Sequence, residues 1–388
     1  MQPTSGYFQI VNIRIVCYNF YMQTFLINIF KLFIKLIYAI LKLFPTKNKV
    51  VLISRFHNTT SIDFKLLKKE LLNNDPTVEI KILNHKNNSL PQVVKHLFLE
   101  MYHIATSYTA IIDSYIIPIS VLNHKDDLVV IQIWHAFGAI KKFGYASLDK
   151  ADGRPSKMAH LLNMHHNYDY VISCSDLTAT YYQVAFKVPI EKIKTIGVPK
   201  MDYLQNIENK WNFEEDFYLA YPNLKQQKII LYAPTFRKND TLDNFKLFKD
   251  LPKNHTLIIK KHPLDKTIYP NNENILTDVN FSSSDLLFVS DYLITDYSSI
   301  SFEAALLNIP TFFYIYDYLD YQKSQGLFIK IKDEYPTISF ENAEDLCENL
   351  INDKYDAASY RNFRNKYLSN NKNITQEILK LIERIPNE

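Results

Sequence analysis

The stretch Ile294–Pro310, ITDYSSISFEAALLNIP, decides how the chain is read. An apolar strand, Leu293–Thr295, runs into a small polar turn, Asp296-Tyr297-Ser298-Ser299, and Ile300–Leu307 then has the composition and apolar spacing of a helix. Ser298 or Ser299 is placed to cap that helix, and Glu303 falls in its first turns. Backbone N–H groups at a helix start have no intrahelical partner, and the helix dipole is positive there, so such a turn is suited to a phosphate. An ordinary strand–turn–helix corner of an α/β sheet explains the same residues. The rest of the chain has to separate the two readings.

With 388 residues, the chain is long enough for about two α/β domains. It has six glycines and neither a G-x-G-x-x-G nor a G-x-x-x-x-G-K-[ST] motif, which argues against a long glycine-rich phosphate loop. Three widely spaced cysteines, Cys17, Cys174 and Cys347, offer no metal spacing and no disulfide framework, as expected for a reducing cytoplasm. The net charge of +3 is unevenly spread. Residues 1–62 hold seven bases and no acid, whereas the remainder has 37 Lys and Arg against 41 Asp and Glu. Basic charge therefore belongs to the N-terminus, which disfavours a nucleic-acid groove across the body.

Phe25–Phe44, FLINIFKLFIKLIYAILKLF, is apolar apart from Asn28 and lysines at 31, 35 and 42. At about 100° per residue these lysines fall within about 40° of one another on a helical wheel. A narrow cationic stripe on an apolar helix suits a membrane interface, with lysines snorkelling toward anionic headgroups. A helix packed on the protein's own core, a membrane span and a signal sequence compete with that reading. Met22 lies just before the segment and is an alternative start.

Beyond it, strand-like runs alternate with helical patterns, which implies parallel sheets. Candidate strands are Lys49–Ser54, Val78–Leu83, Ala110–Asp113, Val129–Trp134, Tyr170–Ser173 and Ile193–Gly197, then Lys228–Ala233, His255–Lys260, Asp291–Thr295 and Pro310–Ile315. Helical patterns include Gln92–His103, Leu177–Phe186, Ala343–Asn352 and about Thr375–Arg384, and Pro199–Pro222 reads as a linker. The expectation is an N-terminal segment, 1–47, and two doubly wound domains, 48–212 and 213–388, facing each other across a cleft. Ligands of such folds lie beyond the carboxyl ends of the strands.

Four places there stand out: His135 in IQIWHAFGAIKKFGY, Pro234-Thr235-Phe236-Arg237, Lys261-His262-Pro263, and Asp296-Tyr297-Ser298-Ser299. Two histidines, an arginine, lysines and a helix start suit an anionic, phosphate-bearing ligand. A histidine can accept an alcohol proton near neutral pH, and an imidazolium can stabilise phosphate charge. Arg237 either pairs bidentately with phosphate or forms a surface ion pair. No H-E-x-x-H, C-x-x-C, G-x-S-x-G or D-x-D is present, and neither a metal nor a cofactor is expected.

Taken together, IQIWHAFGAIKKFG, LYAPTFR, IIKKHP and ITDYSSISFEAALLNIPTFFYIYD resemble the CDP-glycerol glycerophosphotransferase family, the teichoic-acid primase and polymerase enzymes. The resemblance runs from about Asn48 to the C-terminus. One departure is Ala136, where many members have glycine after the Trp-His pair. The resemblance implies a GT-B-like architecture of two Rossmann-like domains, acceptor-binding then donor-binding. It also implies that His135 and His262 match the family's essential histidines, and that Asp296, Tyr297, Ser298 and Ser299 lie at the donor pyrophosphate. His135 is then expected to act as base on an acceptor hydroxyl and His262 to stabilise the phosphates. Thr235, Arg237, Lys142 and Glu303 are the further donor-site candidates. The expected donor is CDP-glycerol or a related CDP-polyol, with CMP as leaving group. The expected acceptor is lipid-linked or polymeric, met at the cytoplasmic face of the membrane by a peripheral protein; a homo-oligomer is left open. A GT-B glycosyltransferase using a nucleotide sugar is the alternative, and a non-catalytic binding module a third.

Overall fold

The computed structural model describes residues 5–56, 58–85, 89–237, 251–252, 254–261, 265, 267–269, 274–277 and 279–382, with the backbone alone for 5–21. Twelve strands are described: β1 Lys49–Ser54, β2 Glu79–Asn84, β3 Thr109–Ile112, β4 Val129–Gln132, β5 Tyr170–Ser173, β6 Ile193–Thr195, β7 Lys228–Tyr232, β8 His255–Ile259, β9 Ile275–Thr277, β10 Tyr292–Thr295, β11 Thr311–Tyr314 and β12 Ser339–Phe340. They form two six-stranded sheets, ordered β2-β1-β3-β4-β5-β6 and β12-β11-β10-β7-β8-β9. The ten expected strands are all present, within two residues at each end; β1, β7, β8, β10 and β11 are apolar runs buried almost throughout on both faces. The short edge strands β9 and β12 carry too few apolar residues to announce themselves.

By backbone contacts the chain divides into two compact units: residues 1–59, 77–132 and 154–169, and residues 60–76, 133–153 and 170–388. In the first, β1 pairs in parallel with β2 and β3, and β3 with β4. Val50–Ile53 and Ala110–Ile112 are sealed from solvent. The second contains the sheet β7–β12, parallel at every pairing. Its core is built from Ile230, Tyr232, Leu257, Ile259, Ile294 and Phe312, with Leu346 and Leu350 of the helix Ala343–Ile351 packed on them.

The segment Pro199–Pro222 is not a linker. It contains the helices Lys200–Gln205 and Ile207–Ala220. The second starts at Asn206, whose side chain accepts from the N–H groups of Glu208 and Asn209, and it buries Phe213 and Phe217. Five aromatics and four acids between residues 208 and 221 blur the helical period, which is why composition misled.

The N-terminal helix runs Ser5–Leu41. Its stretch Met22–Leu41 is long and apolar enough to cross a membrane. Ile34 and Tyr38 are buried, and the Tyr38 hydroxyl meets His124 Nδ1 at 2.8 Å. Lys31 turns inward with them and donates to the Leu161 carbonyl at 2.7 Å, so it does not snorkel outward. Lys35 stays exposed. The outer face carries Phe25, Leu26, Ile29, Leu32, Phe33, Leu36 and Ile40, all exposed.

Candidate active site

In the order β8-β7-β10-β11 the chain leaves β7 to one side and reaches β10 on the other, so β7 and β10 flank the topological switch point. An open parallel sheet has its crevice at that place, at the carboxyl ends. The two strand ends are tied together by Asp296. Its carboxylate accepts from the Thr235 N–H at 3.0 Å and from Thr235 Oγ1 at 2.6 Å, and pairs with the Arg237 guanidinium at 2.9 Å. Arg237 also donates through Nε to Asp317 at 2.6 Å and through a terminal nitrogen to the Thr235 carbonyl at 2.8 Å. Its plane lies 4.6 Å from the Tyr321 ring centre and 5.4 Å from that of Tyr297. Burial opposes the guanidinium charge, but Asp296 and Asp317 more than offset it and hold the group above its ordinary pKa. Arg237 thus spends most of its five donors inside the protein.

Tyr297 is fully buried, stacks on Tyr321 at 4.0 Å and donates to Asp317 at 3.2 Å. Burial, then Asp317 and Asp296, push its phenol far above the ordinary value, so it remains a donor. Ser299 occupies the cap position of the helix Ile300–Leu306 without a side-chain capping bond. Instead Ser301 returns through its N–H and its hydroxyl to the Ser298 carbonyl, at 3.3 and 2.9 Å.

Above this array is an open cavity of about 950 Å³. Thr235, Arg237 and Ser298 line it, together with Lys141, Asp317 and Tyr321. Asp296 and Tyr297 stand behind that lining. Of the lysine pair, Lys141 and not Lys142 faces the cavity. Ile140–Lys142 runs antiparallel to Gly326–Phe328, with Lys141 paired to Leu327 and the Lys142 N–H donating to the Gly326 carbonyl at 2.9 Å. Extended chain sends neighbouring side chains to opposite faces. The Lys142 ammonium lies 6.0 Å from the Phe328 ring centre.

His135 is exposed and follows Trp134, which has φ +58°. A left-handed conformation costs a bulky residue about 1–3 kcal/mol. It is held because the Trp134 ring stacks on Phe143 at 4.6 Å and meets the edge of Phe186 at 5.1 Å, while the Tyr182 hydroxyl donates to the Ala136 carbonyl at 3.2 Å. The loop then presses onto the helix that follows the DYSS turn: a Cβ at Gly138 would fall 2.7 Å from the buried Phe302 ring. Gly138→Ala is expected to destabilise the protein by about 1–3 kcal/mol through overpacking. Denaturant unfolding checks this, and the double variant Gly138→Ala/Phe302→Leu should recover part of the loss.

A family model described as CDP-glycerol:poly(glycerophosphate) glycerophosphotransferase matches residues 36–384. The chain belongs to this family. It is 34% identical to the teichoic acid ribitol-phosphate primase of Bacillus spizizenii over 82% of this chain and 85% of that protein. It is 31% identical to the teichoic acid glycerol-phosphate primase of Bacillus subtilis, over 80% and 81%. The solved structure of the wall teichoic acid polymerase TagF is similar with a TM-score of 0.68 and 21% identity, covering 93% of this chain and 97% of that one. That likeness shows the fold, which is GT-B-like with two parallel-sheet domains. The protein is accordingly an enzyme of the CDP-glycerol glycerophosphotransferase family, which does not favour the glycosyltransferase alternative.

Two further residues of this glycerophosphotransferase-family enzyme complete the account. Glu303 is buried and faces Lys200, 2.6 Å away, and the Ser284 hydroxyl, 2.5 Å away. It is not among the residues lining the cavity. Asp63 accepts from the Lys200 N–H at 2.7 Å. Burial lowers the affinity of Lys200 for its proton, but Glu303 and Asp63 reverse the sign and raise its pKa. His262 lies outside the described residues. Among the described residues no group of three or more His, Cys, Asp or Glu is arranged to hold a metal ion. Sequence reading passed over Asp317, Tyr321 and Lys141. Asp317 and Tyr321 follow β11, and the strand-end rule that selected Asp296 pointed to them as well.

Proposed function

We propose that this enzyme transfers glycerol phosphate, or a related polyol phosphate, from a CDP-polyol to a hydroxyl of a lipid-linked or polymeric acceptor. The observation that carries this reading is the cavity at the β7/β10 switch point, with Thr235, Ser298 and cationic side chains around it, in a chain of this family. The domain holding β7–β12 takes the donor, and the preceding one the acceptor. An acceptor hydroxyl attacks the polyol-bearing phosphorus, the bond to the bridging oxygen breaks, and CMP departs as an anion. His135 receives the hydroxyl proton, and His262 offsets charge on the phosphates. Asp296, Arg237 and Asp317 set the shape of the donor site, and Ser298 and Thr235 border it. Phosphorus NMR of the product tests the chemistry: a new phosphodiester supports the reading, and a glycoside opposes it. Identity to a ribitol-phosphate primase at least matches that to a glycerol-phosphate primase, so CDP-ribitol is to be assayed beside CDP-glycerol.

The exposed apolar face of the N-terminal helix supports peripheral attachment at the cytoplasmic face of the membrane, where a lipid-linked acceptor is met. Each Leu or Ile moved from water into lipid contributes about 1.5–3 kcal/mol. Leu32→Asp/Leu36→Asp/Ile40→Asp should therefore release the protein from sedimenting phosphatidylglycerol vesicles without unfolding it, since all three side chains point outward. Unchanged sedimentation would remove this face from membrane binding.

A further inference from the structure

We infer that Lys141, on the loop between His135 and the DYSS-turn cavity, is the residue that grips the donor's phosphates, and that Arg237 is a positioning residue. This rests on the CDP-polyol reading of the cavity. Charge pairing carries the argument. Among the described residues, two cations, Lys141 and Arg237, and three carboxylates, Asp152, Asp317 and Asp320, line the cavity. Arg237 is already matched by two carboxylates, at 2.9 and 2.6 Å. Lys141 makes no hydrogen bond or ion pair among the described residues, although it lies within the electrostatic reach of Asp296, Arg237 and Asp152.

A half-buried ammonium without a partner is costly, and an incoming phosphate oxygen supplies what it lacks. The direction of its acid–base shift agrees: burial lowers the Lys141 pKa below 10.5, with Arg237 acting in the same direction, while Asp296 and Asp152 oppose them. The backbone fixes its aim. Lys141 is held opposite Leu327 by flanking hydrogen bonds from Phe328 to the Ile140 carbonyl, 2.8 Å, and from Lys142 to the Gly326 carbonyl, 2.9 Å. The ammonium is thus carried on a paired segment, not on a free loop.

The test compares wild type, Lys141→Met and Lys141→Arg of the full chain by titration calorimetry with CDP and with cytidine, together with thermal unfolding. Lys141→Met should weaken CDP about 10- to 100-fold, the loss of one charge-assisted hydrogen bond. It should leave cytidine binding within about twofold and leave the unfolding temperature equal or higher, because an unpaired cation has been removed. Lys141→Arg should keep most of the CDP affinity. Wild-type affinity for CDP with Lys141→Met equal to it would overturn the role of Lys141 and leave the donor reading standing. A lower unfolding temperature with parallel losses for CDP and cytidine would make Lys141 a structural residue and overturn the proposal. Failure of the wild type to bind CDP would overturn the proposal together with the donor reading.

Discussion

His135→Asn is expected to lower turnover by about 10²–10⁴-fold, the range for removing a positioned general base. Asparagine keeps a polar side chain of similar reach but cannot accept the acceptor's proton at neutral pH. The fold should not respond, because His135 is exposed and the loop conformation is held by its neighbours. Trp134 keeps its stacking on Phe143, Ala136 its bond from Tyr182, and Gly138 its contact with Phe302. Circular dichroism and affinity for CDP should match wild type while turnover collapses. Turnover near wild type would remove His135 from the chemistry. The same substitution at His262 should also depress turnover, with charge on the phosphates as the affected quantity.

Arg237→Met is expected to be the most damaging change to the donor site's structure. It strands two carboxylates, Asp296 and Asp317, whose side chains are 4% and 17% exposed. Removing one partner of a buried ion pair costs about 3–5 kcal/mol, because the remaining charge is left without compensation. Loss of the pair also frees Asp296 to reorganise, and with it the Thr235 bonds that join the ends of β7 and β10. CDP affinity should fall together with the denaturation midpoint. Adding Asp296→Asn to Arg237→Met should restore part of the stability, since it deletes one stranded charge. A variant as stable as wild type that merely binds CDP more weakly would instead make Arg237 a direct phosphate contact.

Much of this architecture was legible because apolar strands in a doubly wound sheet are continuous runs. Lys49–Ser54 and Tyr170–Ser173 begin and end where the sequence places them. The rule that chemistry follows strand ends then selected Thr235, Arg237 and Asp296, and the structure brings these three into one network. What pattern could not supply was facing. Lys141 and Lys142 are equivalent in sequence, and only their pairing with Gly326–Phe328, about 185 positions away, separates a cavity residue from one lying over Phe328. Glu303 shows the same limit. Its place in the first turns of a helix after DYSS implied the donor site, but the helix turns its side chain to Lys200. The left-handed Trp134 was invisible for another reason: positive φ is usually signalled by glycine, and here aromatic stacking holds it instead. The lysine stripe of the N-terminal helix was real, but nothing in its spacing said that Lys31 would find a carbonyl acceptor at Leu161.

The central claim is tested most directly by CMP release from CDP-glycerol and from CDP-ribitol by the purified full-length protein, with and without a lipid-linked acceptor analogue. The account predicts acceptor-dependent CMP release from at least one of the two donors, with the polyol phosphate recovered on the acceptor. Absence of release from both, with turnover of a nucleotide sugar under the same conditions, would contradict it.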